Sequence, residues 1–163
     1  MSVFAISSGV FTLQFTGKDG KGYGYSILKK GEEPPLYETR DPVILILKDY
    51  AAKHVELQGA YEEIRKEGQT VTAKGKIITP MGSVFIFEDH FSPYKKGNTF
   101  SFERTVTVEK ASPKDLGFGS RVTLGIQAGG GAPDYAYFAP GAWYKHNEYA
   151  PDHFIGKNME LPC

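Results

Sequence analysis

Apolar and polar residues alternate one by one along much of this chain, and that spacing constrains the fold more than any other feature. In residues 10–16, Phe11, Leu13 and Phe15 fall on one side and Thr12, Gln14 and Thr16 on the other. A period of two is the signature of a strand with one buried face. Tyr23, Tyr25 and Ile27 alternate with Gly24 and Ser26, and Val71, Ala73, Gly75 and Ile77 with Thr72, Lys74 and Lys76. In residues 99–108, Phe100, Phe102, Val106 and Val108 oppose Ser101, Glu103, Thr105 and Thr107. Phe118, Ser120, Val122, Leu124 and Ile126 repeat the pattern, with Arg121 and Thr123 opposed. No window carries a sustained apolar stripe of period 3.6 with caps, so at most one or two helical turns are expected. The alternation predicts an all-β, two-layer antiparallel β-sandwich with little helix.

Turn chemistry divides the strands. Lys18-Asp19-Gly20-Lys21 carries the Asp-Gly signature of a tight hairpin turn, so the first two alternating segments are expected to pair. Residues 43–47 are apolar on both faces, as a strand covered from two sides must be. In residues 51–80, the run Tyr61-Glu62-Glu63-Ile64-Arg65-Lys66 reads as a short helix as readily as a strand. The breaks at Gly59 and at Glu67-Gly68-Gln69 favour a β-meander. Residues 83–87, residues 99–108 and the segment from Phe118 are expected to be consecutive members of one sheet.

Length and charge narrow the function classes. A chain of 163 residues is expected to make a single domain with a real core, and 40% apolar with 23% charged residues is ordinary for a folded globular protein. Nineteen basic residues balance nineteen acidic ones, so no field attracts a polyanion and no nucleic-acid partner is expected. The longest apolar run, residues 43–47, is far short of the roughly 20 residues that span a bilayer, so no membrane partner is expected. The amino terminus lacks the basic start and apolar stretch of a signal peptide, which implies either a cytoplasmic protein or a secreted or periplasmic one whose signal has been removed. The one cysteine, Cys163, excludes an internal disulfide and a cysteine metal cage. An ending in Asn158-Met159-Glu160-Leu161-Pro162-Cys163, with no helix or polar tail, suggests a fragment of a longer multidomain enzyme.

Two runs carry a family likeness: residues 82–91, GSVFIFEDHF, and residues 97–108, GNTFSFERTVTV. An acidic strand end, a glycine turn and a strand bearing an arginine among apolar residues resemble the β-sandwich ("supersandwich", galactose-mutarotase-like) domain that precedes a helical toroid in bacterial glycoside hydrolases and polysaccharide lyases. The resemblance covers about residues 80–125. It implies a noncatalytic portion of a glycosidase or lyase, because the toroid that carries the catalytic acid or base in such enzymes does not lie within this chain. It also implies a C-terminal helical toroid of the same parent chain as a partner.

Several residues invite a chemical reading. Arg104 is in phase with Phe100, Phe102, Val106 and Val108, so it points inward and needs a carboxylate, Glu88 or Asp89, on the neighbouring strand. From Ala128 the texture changes, and residues 128–163 read as an aromatic, loop-rich tail. Six aromatics, among them Tyr135, Tyr137, Trp143, Tyr144 and Tyr149, fall within residues 135–149. Aromatic faces stack on the C–H faces of sugars, while His146, Asn147 and Glu148 would bond hydroxyls. The same rings would equally cover the edge of the sandwich. His146, Glu148, Asp152 and His153 match no helix-borne metal spacing, and Pro151 separates them, so no metal is expected. His90 beside Asp89 has no nucleophile or marked carboxylate pair around it. Gly129-Gly130-Gly131 does not open a helix after a strand, so neither a phosphate loop nor any other cofactor is expected.

These readings converge on a noncatalytic sandwich that binds an oligo- or polysaccharide, or shapes a glycan cleft, through its aromatic tail. A structural module that docks on a partner domain is the alternative, and a freestanding sugar isomerase or epimerase a weaker one.

Overall fold

Each described alternating segment forms a strand, because a period of two can bury one apolar face only when the backbone is extended. The computed structural model describes residues 2–17, 20–48, 54–94 and 98–122, except the His54 side chain, together with the backbone of residues 137–139 and 142–144. The chain divides into two compact units, Met1–Ile126 and Gln127–Cys163. The first contains β1 (Ser2–Ser8), β2 (Phe11–Gly17), β3 (Tyr23–Lys29), β4 (Tyr37–Thr39), β5 (Val43–Lys48), β6 (His54–Gly59), β7 (Tyr61–Glu67), β8 (Thr70–Ile78), β9 (Val84–Pro93), β10 (Phe100–Lys110) and β11 (Gly117–Arg121). The second contains a short hairpin, β12 (Tyr137–Ala139) and β13 (Ala142–Tyr144). No helix occurs among the described residues.

Eight strands build a large sheet in the order β1-β2-β3-β7-β8-β9-β10, with β4 added to β3, and three build a smaller sheet in the order β11-β5-β6. Every pairing is antiparallel. The two sheets bury a shared core. Ile6, Phe15, Tyr61, Val71 and Phe87 of the large sheet and Val43 and Leu45 of the small one are fully buried, each aliphatic or phenylalanine side chain contributing about 1.5–3 kcal/mol. The layers approach each other closely at Gly75. A Cβ there would lie 2.6 Å from Val43 Cγ2, so only a residue without a side chain lets β5 settle on β8.

The run 61–66 is a strand and not a helix. Its residues pair with β8 through the two-residue turn Gly68-Gln69, where Gly68 has a φ of 60° that suits glycine. A register shift between Tyr61 and Glu63 marks a β-bulge next to Tyr61, whose side chain is fully buried.

Two expectations are corrected. The three strands around residues 83–126 do not share one sheet: β9 and β10 pair in the large sheet, whereas β11 crosses to β5 in the small one. The connection makes the crossing. Thr79 Oγ1 donates to Asp115 Oδ2 at 2.7 Å, Ser112 N donates to Ser83 Oγ at 2.8 Å, and Leu116 N donates to the Lys48 carbonyl at 3.1 Å, which delivers the chain to the free edge of β5. The turn after β2 is also longer than a tight hairpin, for Gly17 pairs with Tyr23 and leaves five residues between them.

Strand β10 ends the large sheet and β11 ends the small one, so among the described residues no further strand covers these two edges. That explains why Phe102 and Val108, in phase with the core, keep 37% and 41% of their surface exposed.

Candidate functional site

The only fully buried charged side chain among the described residues is Asp89, in the middle of β9. A carboxylate withdrawn from water must recover its hydration from fixed donors. Asp89 does so from two directions. Arg104, its direct cross-strand partner on β10, donates from Nε to Oδ1 at 2.7 Å and from Nη2 to Oδ2 at 2.6 Å, a bidentate fork. The Tyr61 hydroxyl donates a short hydrogen bond to Oδ2.

The guanidinium has three N–H groups left, and all find acceptors. Nη2 donates to the Pro42 carbonyl at 3.1 Å, and Nη1 to Ser120 Oγ at 3.1 Å and the Arg121 carbonyl at 3.0 Å. Pro42 precedes β5, and Ser120 and Arg121 lie on β11, so one side chain ties the last strand of the large sheet to the small sheet. Phe87 and Phe102 complete the enclosure, each with its ring centroid 5.4 Å from the guanidinium carbon. The Arg104 side chain is only 7% exposed. Burial works against its charge, but the bond and field of Asp89 prevail and hold its pKa above the ordinary arginine value. Burial, reinforced by Asp89, pushes the Tyr61 phenol well above the usual tyrosine range. All five guanidinium N–H groups and both carboxylate oxygens are occupied, so this cluster offers no group for substrate: it is a clasp.

Of the two carboxylates considered for Arg104, Asp89 is therefore the partner and Glu88 is not. Successive residues of a strand face opposite ways. Glu88 lies on the outer face, where Lys74 Nζ approaches Oε2 at 2.9 Å and His90 Nε2 lies 3.0 Å from Oε1. The hydrogen bond from Lys74 holds the Glu88 carboxyl below its usual range, and Glu88 raises the Lys74 ammonium in return. His90 Nδ1 also lies 3.1 Å from Thr72 Oγ1. His90 and Asp89 are thus on opposite faces and cannot act as one acid–base pair.

A cavity of about 470 Å³ opens inside the curl of the large sheet. Its walls are Phe11 and Leu13 of β2, Tyr25 and Ile27 of β3, Phe91 of β9 and Phe100 and Phe102 of β10, joined by the exposed Asn98, Thr99 and Val122, with no charged residue in the lining. The curl is pinned where Val10 N donates to Asn98 Oδ1 at 3.3 Å, which joins the β1–β2 turn to the segment before β10. Phe91 sets the cavity's aromatic angle, its ring centroid 5.9 Å from Tyr25 and 5.0 Å from Phe102 at interplanar angles near 60°. A second, polar cleft of about 350 Å³ is lined by Lys21, Glu38 and Arg40 among others.

In the second unit, Tyr137 pairs with Tyr144 and Phe138 with Trp143 across the β12–β13 hairpin. Tyr135, His146, Asn147, Glu148 and Tyr149 lie outside the described residues, as do Asp152 and His153. Among the described residues no cluster of histidine, cysteine or carboxylate side chains could hold a metal ion.

Two contributions were not read from sequence. Tyr61 was placed in an ambiguous segment, and the cavity depends on residues brought together from four strands. Tyr61 lies two residues after the Gly59 break, where the chain passes from β6 of the small sheet to β7 of the large one.

No family model matches the chain, and neither does any curated protein or solved structure.

Proposed function

We propose that this chain is a noncatalytic β-sandwich module of a bacterial carbohydrate-active enzyme, a glycosidase or lyase, and that its aromatic C-terminal segment binds an oligo- or polysaccharide. The reading rests on the likeness of residues 80–125 to the sandwich that precedes a helical toroid. The observation that carries its noncatalytic half is the saturation of the Tyr61–Asp89–Arg104 cluster. The buried ionic group that would otherwise be the first candidate for acid–base chemistry is spent on joining the sheets. Its binding half is supported by the hairpin, which sets Tyr137 opposite Tyr144 and Phe138 opposite Trp143 within a stretch rich in polar side chains. Aromatic residues in such a ribbon, followed in the sequence by His146, Asn147 and Glu148, are the chemistry that a sugar's apolar face and hydroxyl rim require. Retention of the full chain on a panel of insoluble polysaccharides, competed by the matching soluble oligosaccharide, tests this. Passage of the chain through every column would count against it.

One observation favours docking to a partner domain instead. Phe102, Val108, Leu116, Phe118 and Val122, which are 37–55% exposed, follow the β10 and β11 edges of the two sheets and the chain beside them. Such a row is more apolar than a free surface usually tolerates. A helical toroid packed there would be compatible with either role of the aromatic segment.

A further inference from the structure

The cavity in the curl of the large sheet is independent of the aromatic hairpin and has a different chemistry. A glycan would be a poor occupant, since each hydroxyl carried into an apolar site needs a partner and the lining offers only Tyr25, Asn98 and Thr99 as polar residues. An apolar ring system suits the walls. A cavity of about 150 Å³ lined by aliphatic and aromatic side chains holds benzene, so this larger, half-open one takes roughly ten to fifteen non-hydrogen atoms.

The lining holds three polar side chains, and of these Asn98 and Thr99 are exposed whereas Tyr25 is buried. Tyr25 lines the cavity and is 5% exposed, yet among the described residues its hydroxyl has no hydrogen-bond partner. Tyr61, the other tyrosine of the core, has Asp89. A buried hydroxyl left without a partner is a standing cost of folding that a ligand can relieve.

We propose that the cavity between β2–β3 and β9–β10 binds a small apolar molecule of two fused or linked rings, oriented by one hydrogen bond between its polar substituent and the Tyr25 hydroxyl. The rings of Phe91 and Phe102 contact its edges and faces, and Leu13 and Ile27 close the wall behind it. The absence of charge from the lining selects against ionised ligands such as fatty acids or phosphates.

The test is methyl nuclear magnetic resonance on the full chain, titrated with 2-naphthol and, separately, with 2-methylnaphthalene, which has the same rings but no hydrogen-bonding group. Both probes shift the methyls of Leu13, Ile27 and Val122 saturably, with dissociation constants of roughly tens to hundreds of micromolar. Tyr25→Phe weakens 2-naphthol by roughly three- to tenfold and leaves 2-methylnaphthalene within about twofold. Ile27→Trp fills the cavity and weakens both probes at least about tenfold. Val122→Trp does the same from the rim at a half-exposed position, and decides the matter if Ile27→Trp does not fold. Absence of saturable shifts at these methyls overturns the proposal, as does equal weakening of both probes by Tyr25→Phe, or binding unchanged in a folded Trp variant. Polysaccharide retention does not enter any of these outcomes, so the two proposals fail separately.

Discussion

Arg104 and Asp89 face each other directly across β10 and β9, and the guanidinium grips both carboxylate oxygens while its remaining donors reach the other sheet. Removing the cation would leave a fully buried carboxylate with only Tyr61 to stabilise it. Arg104→Ala is therefore expected to destabilise the protein by about 3–5 kcal/mol in urea unfolding. The double replacement Arg104→Met with Asp89→Leu should cost clearly less than Asp89→Leu and Arg104→Met added together, because neither charge is then stranded. A loss below about 1 kcal/mol for Arg104→Ala would place the pair at the surface.

The two core tyrosines should respond oppositely to loss of the hydroxyl. Tyr61→Phe withdraws a donor from Asp89 and is expected to cost about 1–3 kcal/mol. Tyr25→Phe removes a hydroxyl with no partner among the described residues, so in the absence of ligand it should be neutral or stabilising. Chemical denaturation of both variants under one condition checks the contrast. Equal destabilisation would contradict it.

Alkaline pH should weaken the fold through the same two phenols. Burial is the first cause of the raised pKa in both, so each keeps its proton in the folded protein at a pH where the unfolded chain releases it. Their contribution is complete below the unfolded value near 10 and is lost as pH rises from there towards the folded values. Stability should fall by about 1.4 kcal/mol per pH unit for each phenol above that point. Ultraviolet absorbance of tyrosinate, followed alongside circular dichroism, should show at least two tyrosines, Tyr25 and Tyr61, ionising only with unfolding. Ionisation of every tyrosine before any loss of structure would be inconsistent with their burial.

Gly75 makes a further mechanical point. A methyl group placed 2.6 Å from Val43 Cγ2 must push β5 away from β8, so Gly75→Ala is expected to cost about 1–3 kcal/mol despite the better strand propensity of alanine. Trimming Val43 to alanine in the same chain should recover part of that loss. No recovery in the double variant's unfolding curve would mean that the layers are not in contact there.

Strand existence was legible from the alternation because the pattern is local. Residues 70–78 alternate in burial as their polarity alternates. Sheet membership was not legible. A period of two tells which way Phe118 and Ser120 point, but not whether their neighbour is β10 or β5, and that choice is made by Ser112, Asp115 and Leu116 acting on distant partners. The helix-prone run Glu62-Glu63-Ile64-Arg65-Lys66 became a strand because the turn at Gly68 and the ladder to β8 outweigh propensity. The inward phase of Arg104 could be read, and with it the need for a carboxylate. The choice of Asp89 over Glu88 followed only from the relative phase of two strands. The cavity was invisible because no local pattern records that Leu13, Ile27, Phe91 and Phe102 converge.

The central claim, a noncatalytic module whose aromatic segment takes sugar, is tested most directly by titrating an oligosaccharide panel into the full chain while following tryptophan emission. Trp143 is the single reporter. The account predicts a saturable change in the high micromolar to millimolar range, about −4 to −6 kcal/mol, which Trp143→Ala abolishes while the unfolding transition is retained. Emission unchanged across the panel, together with a Trp143→Ala chain that no longer folds, would contradict the account and make the segment a packing element.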